Sequence, residues 1–127
     1  MGKTWKYPCH EPSGQCFFQC AARFANGILF PYIVKYNEEA AFGKYRKIYN
    51  YISAEKKCES EFSKGMLEQA VRELNTQVGI PAKLSHAGVT DEYFAQMTED
   101  AMKSGNIAVN PQKTVREDIL ALYKEAL

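Results

Sequence analysis

Three of the four cysteines and one of the two histidines lie in a short stretch near the start of the chain, PCHEPSGQCFFQCAARFANG, residues 8–27. Cysteine sulfur and histidine nitrogen are ligands that zinc accepts readily. The candidate cluster is Cys9, His10, Cys16 and Cys20, spaced C-H-x5-C-x3-C. Closed zinc sites more often use paired C-x2-C ligands, so this spacing makes a zinc site the least favoured interpretation of the stretch.

Nucleophilic catalysis needs a thiolate and a base whose side chains face each other. Cys9 and His10 are adjacent in sequence, which places their side chains in different directions. His86, in KLSHAGV, is predicted to be a solvated or capping histidine on a connector. The glycines do not form the G-x-G-x-x-G turn of a dinucleotide site. The residues alone therefore predict no catalytic and no cofactor-binding residue.

The composition is that of an ordinary globular domain. The chain has 127 residues, 46% of them hydrophobic, and its 16 basic and 15 acidic side chains nearly cancel. This balance gives no general attraction to nucleic acid or to an anionic membrane. No apolar run is long enough to span a membrane, and the N-terminus lacks the apolar core of a signal peptide. We expect a soluble cytoplasmic protein with free thiols rather than disulfides.

The elements that would position these residues are helical. From Phe24 onward the apolar residues recur at helical spacing, with no alternating strand pattern of useful length, which predicts an all-α fold, a helical bundle of about five or six helices. Pro31 should kink or restart the first helix. A second helix should bury one face of EEAAFGKYRKIYNYI, carrying Phe42, Tyr45, Ile48, Tyr49 and Ile52.

The strongest amphipathic pattern has five apolar residues at i+4 spacing, followed by Gly79 and Pro81 as stop signals. They are Phe62, Met66, Ala70, Leu74 and Val78. Two further helices are predicted, one capped by Thr90 that buries Phe94, Met97 and Ala101, and one with a Thr114–Glu117 capping box that presents Ile119, Leu120, Tyr123 and Leu127.

Residues 1–23 show no periodicity, and Pro8, Pro12 and Gly14 oppose an early helix. A backward extension of the first helix is nevertheless open, because apolar residues of this segment share one helical face. These residues are Phe17, Cys20, Ala21 and Phe24.

Three segments, in this order, carry a resemblance to a known family: ANGILFPYIVKYN, VGIPAKLSHAGV and NPQKTVREDILALYKEAL. From Phe24 to Leu127 the chain resembles the C-terminal helical domain of the iron-containing (group III) alcohol dehydrogenases, a dehydroquinate synthase-like domain. The resemblance implies a division into a leader outside the family, residues 1–23, and the helical domain, residues 24–127.

The resemblance also implies the chemistry of the parent enzymes, which use Fe2+ or Zn2+ and NAD(P). Members of that family bind the nucleotide with a preceding α/β domain, to which nothing in this chain corresponds. Their histidines, spaced H-x3-H-x9-H before the ANG segment, fall here on Pro8, Pro12 and Ala22. The first and last are metal ligands in the family, and neither proline nor alanine can ligate. We therefore expect no metal, no cofactor and no activity of this chain alone.

A shifted reading frame is our hypothesis for the leader. Reading the back-translated codons of residues 8–24 from their second base permits histidine at all three family positions, followed directly by the ANG segment. Loss of one nucleotide close to the codons of Phe24 and Ala25 would have this effect. A sequencing error and an engineered truncation with an unrelated leader remain alternatives.

An alternative function is a small self-associating or partner-binding helical protein. If the partner domain is missing, apolar surface that it would cover is exposed, and such surface favours a homo-oligomer. Conversion of the cysteine–histidine leader into a metal site of its own ranks last.

Overall fold

The computed structural model describes the backbone of residues 14–127 and the side chains of residues 25–127. This part of the chain contains helices and no strand, which confirms the all-α prediction. The four α-helices are α1 (Gly14–Ile52), α2 (Met66–Val78), α3 (Phe94–Lys103) and α4 (Arg116–Ala126). Two short 3-10 helices, Leu84–Ala87 and Asp91–Tyr93, lie between α2 and α3. The α-helix count is below the predicted five or six, and α1 spans two of the predicted helices, which meet at a kink at Ala41.

Helix α1 is continuous through Pro31, where the sequence predicted a kink or a new start. Its one residue with non-helical dihedral angles is Ala41, with φ −128° and ψ 17°. A proline removes only one backbone N–H from a helix. The carbonyl that loses its donor, that of Gly27, accepts a hydrogen bond from Asn75 instead, so the helix tolerates Pro31. The start of α1 at Gly14 agrees with the predicted backward extension.

The larger hydrophobic core lies between the middle of α1 and the second half of the chain. Ile28, Leu29 and Tyr32 contribute from α1, and Phe94 stacks on Tyr123 with ring centroids 5.7 Å apart. The remaining buried members are Ala25, Leu84, Val89, Ile119 and Ala126, with Met97, Ala101 and Leu120 packed against them. The predicted apolar faces of α3 and α4 are thereby confirmed, except that Leu127 follows α4 and is partly exposed.

A second core joins the middle and second part of α1 to α2. Its buried residues are Val34, Phe62, Leu67 and Val71, with Phe42, Tyr45, Tyr49 and Met66 packed against them. The ring of Phe62 lies 5.1 Å from that of Phe42 and 5.6 Å from that of Tyr49. Ile48 and Ile52, predicted to share this buried face, are instead about half exposed, because they lie at the end of α1 beyond α2.

The predicted buried face of α2 is wrong in its second half. Leu74 and Val78 are 52% and 58% exposed, whereas Leu67 and Val71 are buried. Residues four apart are rotated by about 40° from each other around a helix of 3.6 residues per turn. A run of five such positions therefore turns away from a fixed neighbour, and the buried face moves to different residues.

The predicted helix ends are confirmed at some positions and shifted at others. Gly79 ends α2 in the left-handed conformation, with φ 81°. The N-cap of α4 is Val115, not Thr114, because the carboxylate of Asp118 accepts the Val115 N–H at 3.0 Å. Thr90 precedes a 3-10 helix and makes no side-chain cap there. Within the part of the chain that the structure describes, no helix is both long and apolar enough to cross a membrane.

Candidate functional site

The residues predicted as metal ligands or ligand positions all precede residue 25, so their side chains lie outside the described residues. Residues 8–10 and Pro12 come before the described backbone, while Cys16, Cys20 and Ala22 have a described backbone on α1. Both the cysteine–histidine cluster and the family ligand positions therefore stay predictions. The structure shows instead the contacts of the part of α1 that follows these positions, residues 27–35.

Among the side chains of residues 25–127, no three or more His, Cys, Asp or Glu residues are grouped so that they could hold a metal ion. His86 is exposed on the first 3-10 helix, which agrees with the prediction of a solvated connector histidine. Cys58 is an exposed free thiol, with its Sγ 3.0 Å from Ser60 Oγ.

The first two segments of the family resemblance are in direct contact. Gly27, in ANG, lies against Ile80, in VGIP, so closely that a β-carbon at position 27 would be 3.1 Å from Ile80 Cδ1. The Asn75 side-chain amide donates to the Gly27 carbonyl at 3.0 Å. The glycine is thus needed for close packing of the connector on α1, and not for binding a phosphate group.

Tyr32 connects the same two segments one turn further along α1. Its buried hydroxyl donates to the Ala82 carbonyl at 3.2 Å. The guanidinium of Arg72 lies 4.6 Å from the ring centroid, and Lys83 Nζ lies 5.9 Å from it. Burial acts to lower the pKa of Arg72, but hydrogen bonds with Glu68 and Tyr32 outweigh burial and raise that pKa overall. Arg72 therefore stays charged over the aromatic face.

The C-terminal segment is tied to both of the others. Lys83 Nζ donates to the Glu125 carbonyl at 3.0 Å, and Ser85 Oγ donates to the Leu127 carbonyl at 2.7 Å. Lys35 of α1 pairs with the Glu125 carboxylate at 2.7 Å, and this hydrogen bond raises the pKa of the lysine. The three segments that carry the resemblance therefore form one structural unit, in which residues 27–35 of α1 contact the other two segments.

A cavity of about 240 Å³ lies between α1, α4 and the connector before α4. Its wall is mostly apolar, with one polar group made of Asn37 and Asn110, whose side-chain amides donate to each other at 2.8 Å in both directions. Asn110 also donates to Thr114 Oγ1 at 3.0 Å. Burial raises the pKa of nearby Tyr45, while a hydrogen bond with Asn37 acts in the opposite direction. Since the buried Asn37 amide and the partly buried Asn110 amide satisfy each other, this group stabilises the connector.

A second cavity, of about 310 Å³, follows the groove between α3 and α4. Arg116 and Lys124 lie along one side of it, and Arg116 pairs with Glu99. Thr98 lines the groove, and its buried hydroxyl has no hydrogen-bond partner among the residues that the structure describes. That hydroxyl is covered by protein atoms, so it is not available to a molecule in the groove.

A known family matches most of the chain. The model of the Fe-containing alcohol dehydrogenase family, C-terminal, matches residues 9–127. The chain belongs to the Fe-containing alcohol dehydrogenase family. The match begins within the segment predicted as a leader outside the family. No solved structure matches the chain with statistical significance.

Curated members of the Fe-containing alcohol dehydrogenase family are similar to the chain over most of its length. A lactaldehyde reductase of Escherichia coli (strain K12) is 32% identical over 111 residues, which cover 87% of this chain and 29% of that protein. A 1,3-propanediol dehydrogenase of Citrobacter freundii is 30% identical, with 80% and 27% covered. An NADPH-dependent butanol dehydrogenase of Clostridium saccharobutylicum is 25% identical, with 79% and 26% covered. The chain thus spans less than a third of the length of these relatives.

Sequence reasoning identified the segments of this unit but not the residues that join them. Asn75 follows Leu74 in the predicted second half of α2, and the apolar pattern there gives it no role. A signal for it did exist, because Pro31 leaves the Gly27 carbonyl without its helical donor. The sequence does not say which side chain supplies the replacement, since Asn75 is 48 residues away.

Proposed function

We propose that this chain is the C-terminal helical part of an NAD(P)-dependent Fe-containing alcohol dehydrogenase and that it catalyses no hydride transfer on its own. Family membership supports the first half of the proposal. The second half rests on chemistry, since metal-assisted hydride transfer needs a metal to polarise the alcohol oxygen and a nicotinamide held against the carbon.

The donor set carries the proposal. On the resemblance, the family's metal-ligand positions fall on Pro8 and Ala22, neither of which has a side-chain donor atom. The side chains of residues 25–127 supply no group of three or more ligand residues in their place. The residues at these positions therefore do not fit the family's metal site.

A metal titration and an activity assay test this proposal. In the first, Zn2+ or Fe2+ is added to the purified protein and binding is followed by calorimetry. In the second, oxidation of NADH or NADPH by the protein is followed in the presence of small aldehydes. We expect no stoichiometric metal binding and no aldehyde-dependent oxidation. Activity above the rate without protein would contradict the proposal. Metal binding that is lost in Cys16→Ser would instead favour a metal site built from the leader.

We further propose that the leader is family sequence read one base out of register. The permitted histidines at Pro8, Pro12 and Ala22 support this idea. The nucleotide sequence of the gene and its upstream flank tests it. A flank that encodes a glycine-rich dinucleotide domain running into three histidine codons would support the frameshift. An unrelated flank, or codons that do not give histidine, would contradict it.

A second candidate function is self-association. It is favoured by the exposed apolar side chains at the end of α1, of which Tyr51 is 92% exposed. Large exposed apolar patches are common at interaction sites.

A further inference from the structure

Pro31 creates a defined gap in the hydrogen bonding of α1. In an α-helix the N–H of each residue donates to the carbonyl four residues earlier. Proline has no N–H, and its ring also pushes against that earlier carbonyl. The carbonyl of Gly27 is therefore left without its helical donor, at a point where α1 packs against α2 and the connector.

Asn75 on α2 supplies the missing donor. Its Nδ2 lies 3.0 Å from the Gly27 carbonyl oxygen. Its own backbone carbonyl accepts the Ile80 N–H at 2.7 Å, which fixes the end of α2 beside this residue. Gly27 has no side chain, so Ile80 can approach α1 closely enough to keep the amide in reach. The Ile80–Asn75 backbone hydrogen bond and the packing of Ile80 on Gly27 thus keep the Asn75 amide close to the Gly27 carbonyl.

We propose that the side-chain amide of Asn75 replaces the N–H that Pro31 lacks, and so fixes the first part of α1 against α2. The part concerned is residues 14–26. The hydrogen bond does not depend on the proposed function, so its test measures folding, whereas failure of the proposed function would appear in the metal and activity measurements.

A double-mutant cycle on the complete chain tests the proposal. Asn75→Ala in the natural background should raise the unfolding equilibrium constant about tenfold, or about 1.4 kcal/mol. Pro31→Ala restores the N–H at position 31, so in that background Asn75→Ala should change the constant by no more than about twofold. Differences in helix propensity between Asn and Ala cancel in the cycle. Asn75→Asp keeps the size of the side chain but replaces the donor by a carboxylate that repels the Gly27 carbonyl, so in the natural background its loss of stability should be at least as large as that of Asn75→Ala.

Equal losses in the two backgrounds would overturn the proposal. A second measurement uses the unaltered protein, in case a variant does not fold. The scalar coupling across a hydrogen bond, between Asn75 Nδ2 and the Gly27 carbonyl carbon, should be detectable by NMR. The side-chain amide protons of Asn75 should also exchange more slowly with water than those of exposed Gln77. Absence of the coupling together with equally fast exchange of both amides would contradict the proposal.

Discussion

Glu38 and Glu39 are neighbours in sequence but have opposite environments. The carboxylate of Glu38 is buried and accepts the backbone N–H of Gly65 at 2.6 Å, directly before α2. Gly65 has a φ of 86°, a conformation open to glycine. The Glu39 carboxylate is exposed and pairs with Lys64 at 2.6 Å, a hydrogen bond that lowers its pKa. A buried acceptor at the start of a helix also meets the positive end of the helix dipole.

Replacement of Glu38 should therefore affect stability far more than replacement of Glu39. Glu38→Ala leaves the partly buried Gly65 N–H without this acceptor, and we expect the free energy of unfolding to fall by about 1–3 kcal/mol. Glu39→Ala removes a solvated ion pair and should leave stability nearly unchanged. Urea denaturation of the two variants checks this. Similar midpoints for both would contradict the assigned role of Glu38.

Tyr123 gives the protein a predicted sensitivity to alkaline pH. Burial, and to a smaller extent the charge of Asp100, raises its pKa above the ordinary value of 10.0. The folded protein then favours the neutral tyrosine, while the unfolded chain ionises near the ordinary value. The stabilisation is complete below that value and is lost as the pH rises above it.

Tyr123→Phe keeps the ring that stacks on Phe94 and removes the ionisable hydroxyl. The free energy of unfolding of the natural protein should fall more steeply than that of the variant as the pH rises above about 10. Urea denaturation at several pH values measures the difference. Tyr51→Phe, at a site 92% exposed, is the control and should follow the natural protein. Parallel curves for Tyr123→Phe and the natural protein would exclude this role.

At the scale of elements, the sequence predicts helices better than it predicts their faces. Whether a segment is helical is set by local periodicity and by local stop signals. Gly79 is such a signal, and α2 does end there. Which side of α2 is buried depends on the direction of α1, which no local pattern contains. Contacts such as Glu38 with Gly65 and Asn75 with Gly27 join residues 27 and 48 positions apart. The sequence shows that Gly27 needs a donor, but only the fold selects it.

Two leucines of α2 test the corrected face. Leu67 is 3% exposed and Leu74 is 52% exposed, although both lie on the same helix. Leu67→Ala should lower the free energy of unfolding by about 2–5 kcal/mol, because it leaves a cavity beside Phe62 and Val71. Leu74→Ala should change it by less than about 1 kcal/mol. Thermal and urea denaturation provide the comparison, and a larger loss for Leu74→Ala would restore the face predicted from i+4 spacing.

At the scale of the whole molecule, the length of α1 is the main feature. Its 39 residues give a contour of about 58 Å. The helix is kinked at Ala41. The other helices are 10–13 residues long and leave side chains at the C-terminal end of α1 exposed. The result at the far end is an apolar patch formed by Ile48, Tyr51 and Ile52, all exposed.

We expect this patch to cause self-association. Gel filtration with light scattering should give a mass above the 14.4 kDa of one chain, rising with protein concentration. Ile48→Lys places a charge in the patch and should shift the protein toward the monomer. Ala121→Lys adds the same charge at an exposed position of α4 and should not. A strict monomer at high concentration would exclude self-association.

The hydrogen bond between Asn75 and Gly27 also has a consequence for the order in which substitutions can arise. A proline that appeared at position 31 before a donor existed at position 75 would leave a partly buried carbonyl without its donor, and selection would act against it. Asn75 would then be the permissive change and Pro31 the later one. In descendants that keep the proline, position 75 should be confined to side chains that can donate, whereas lineages that lost the proline should be free to vary there.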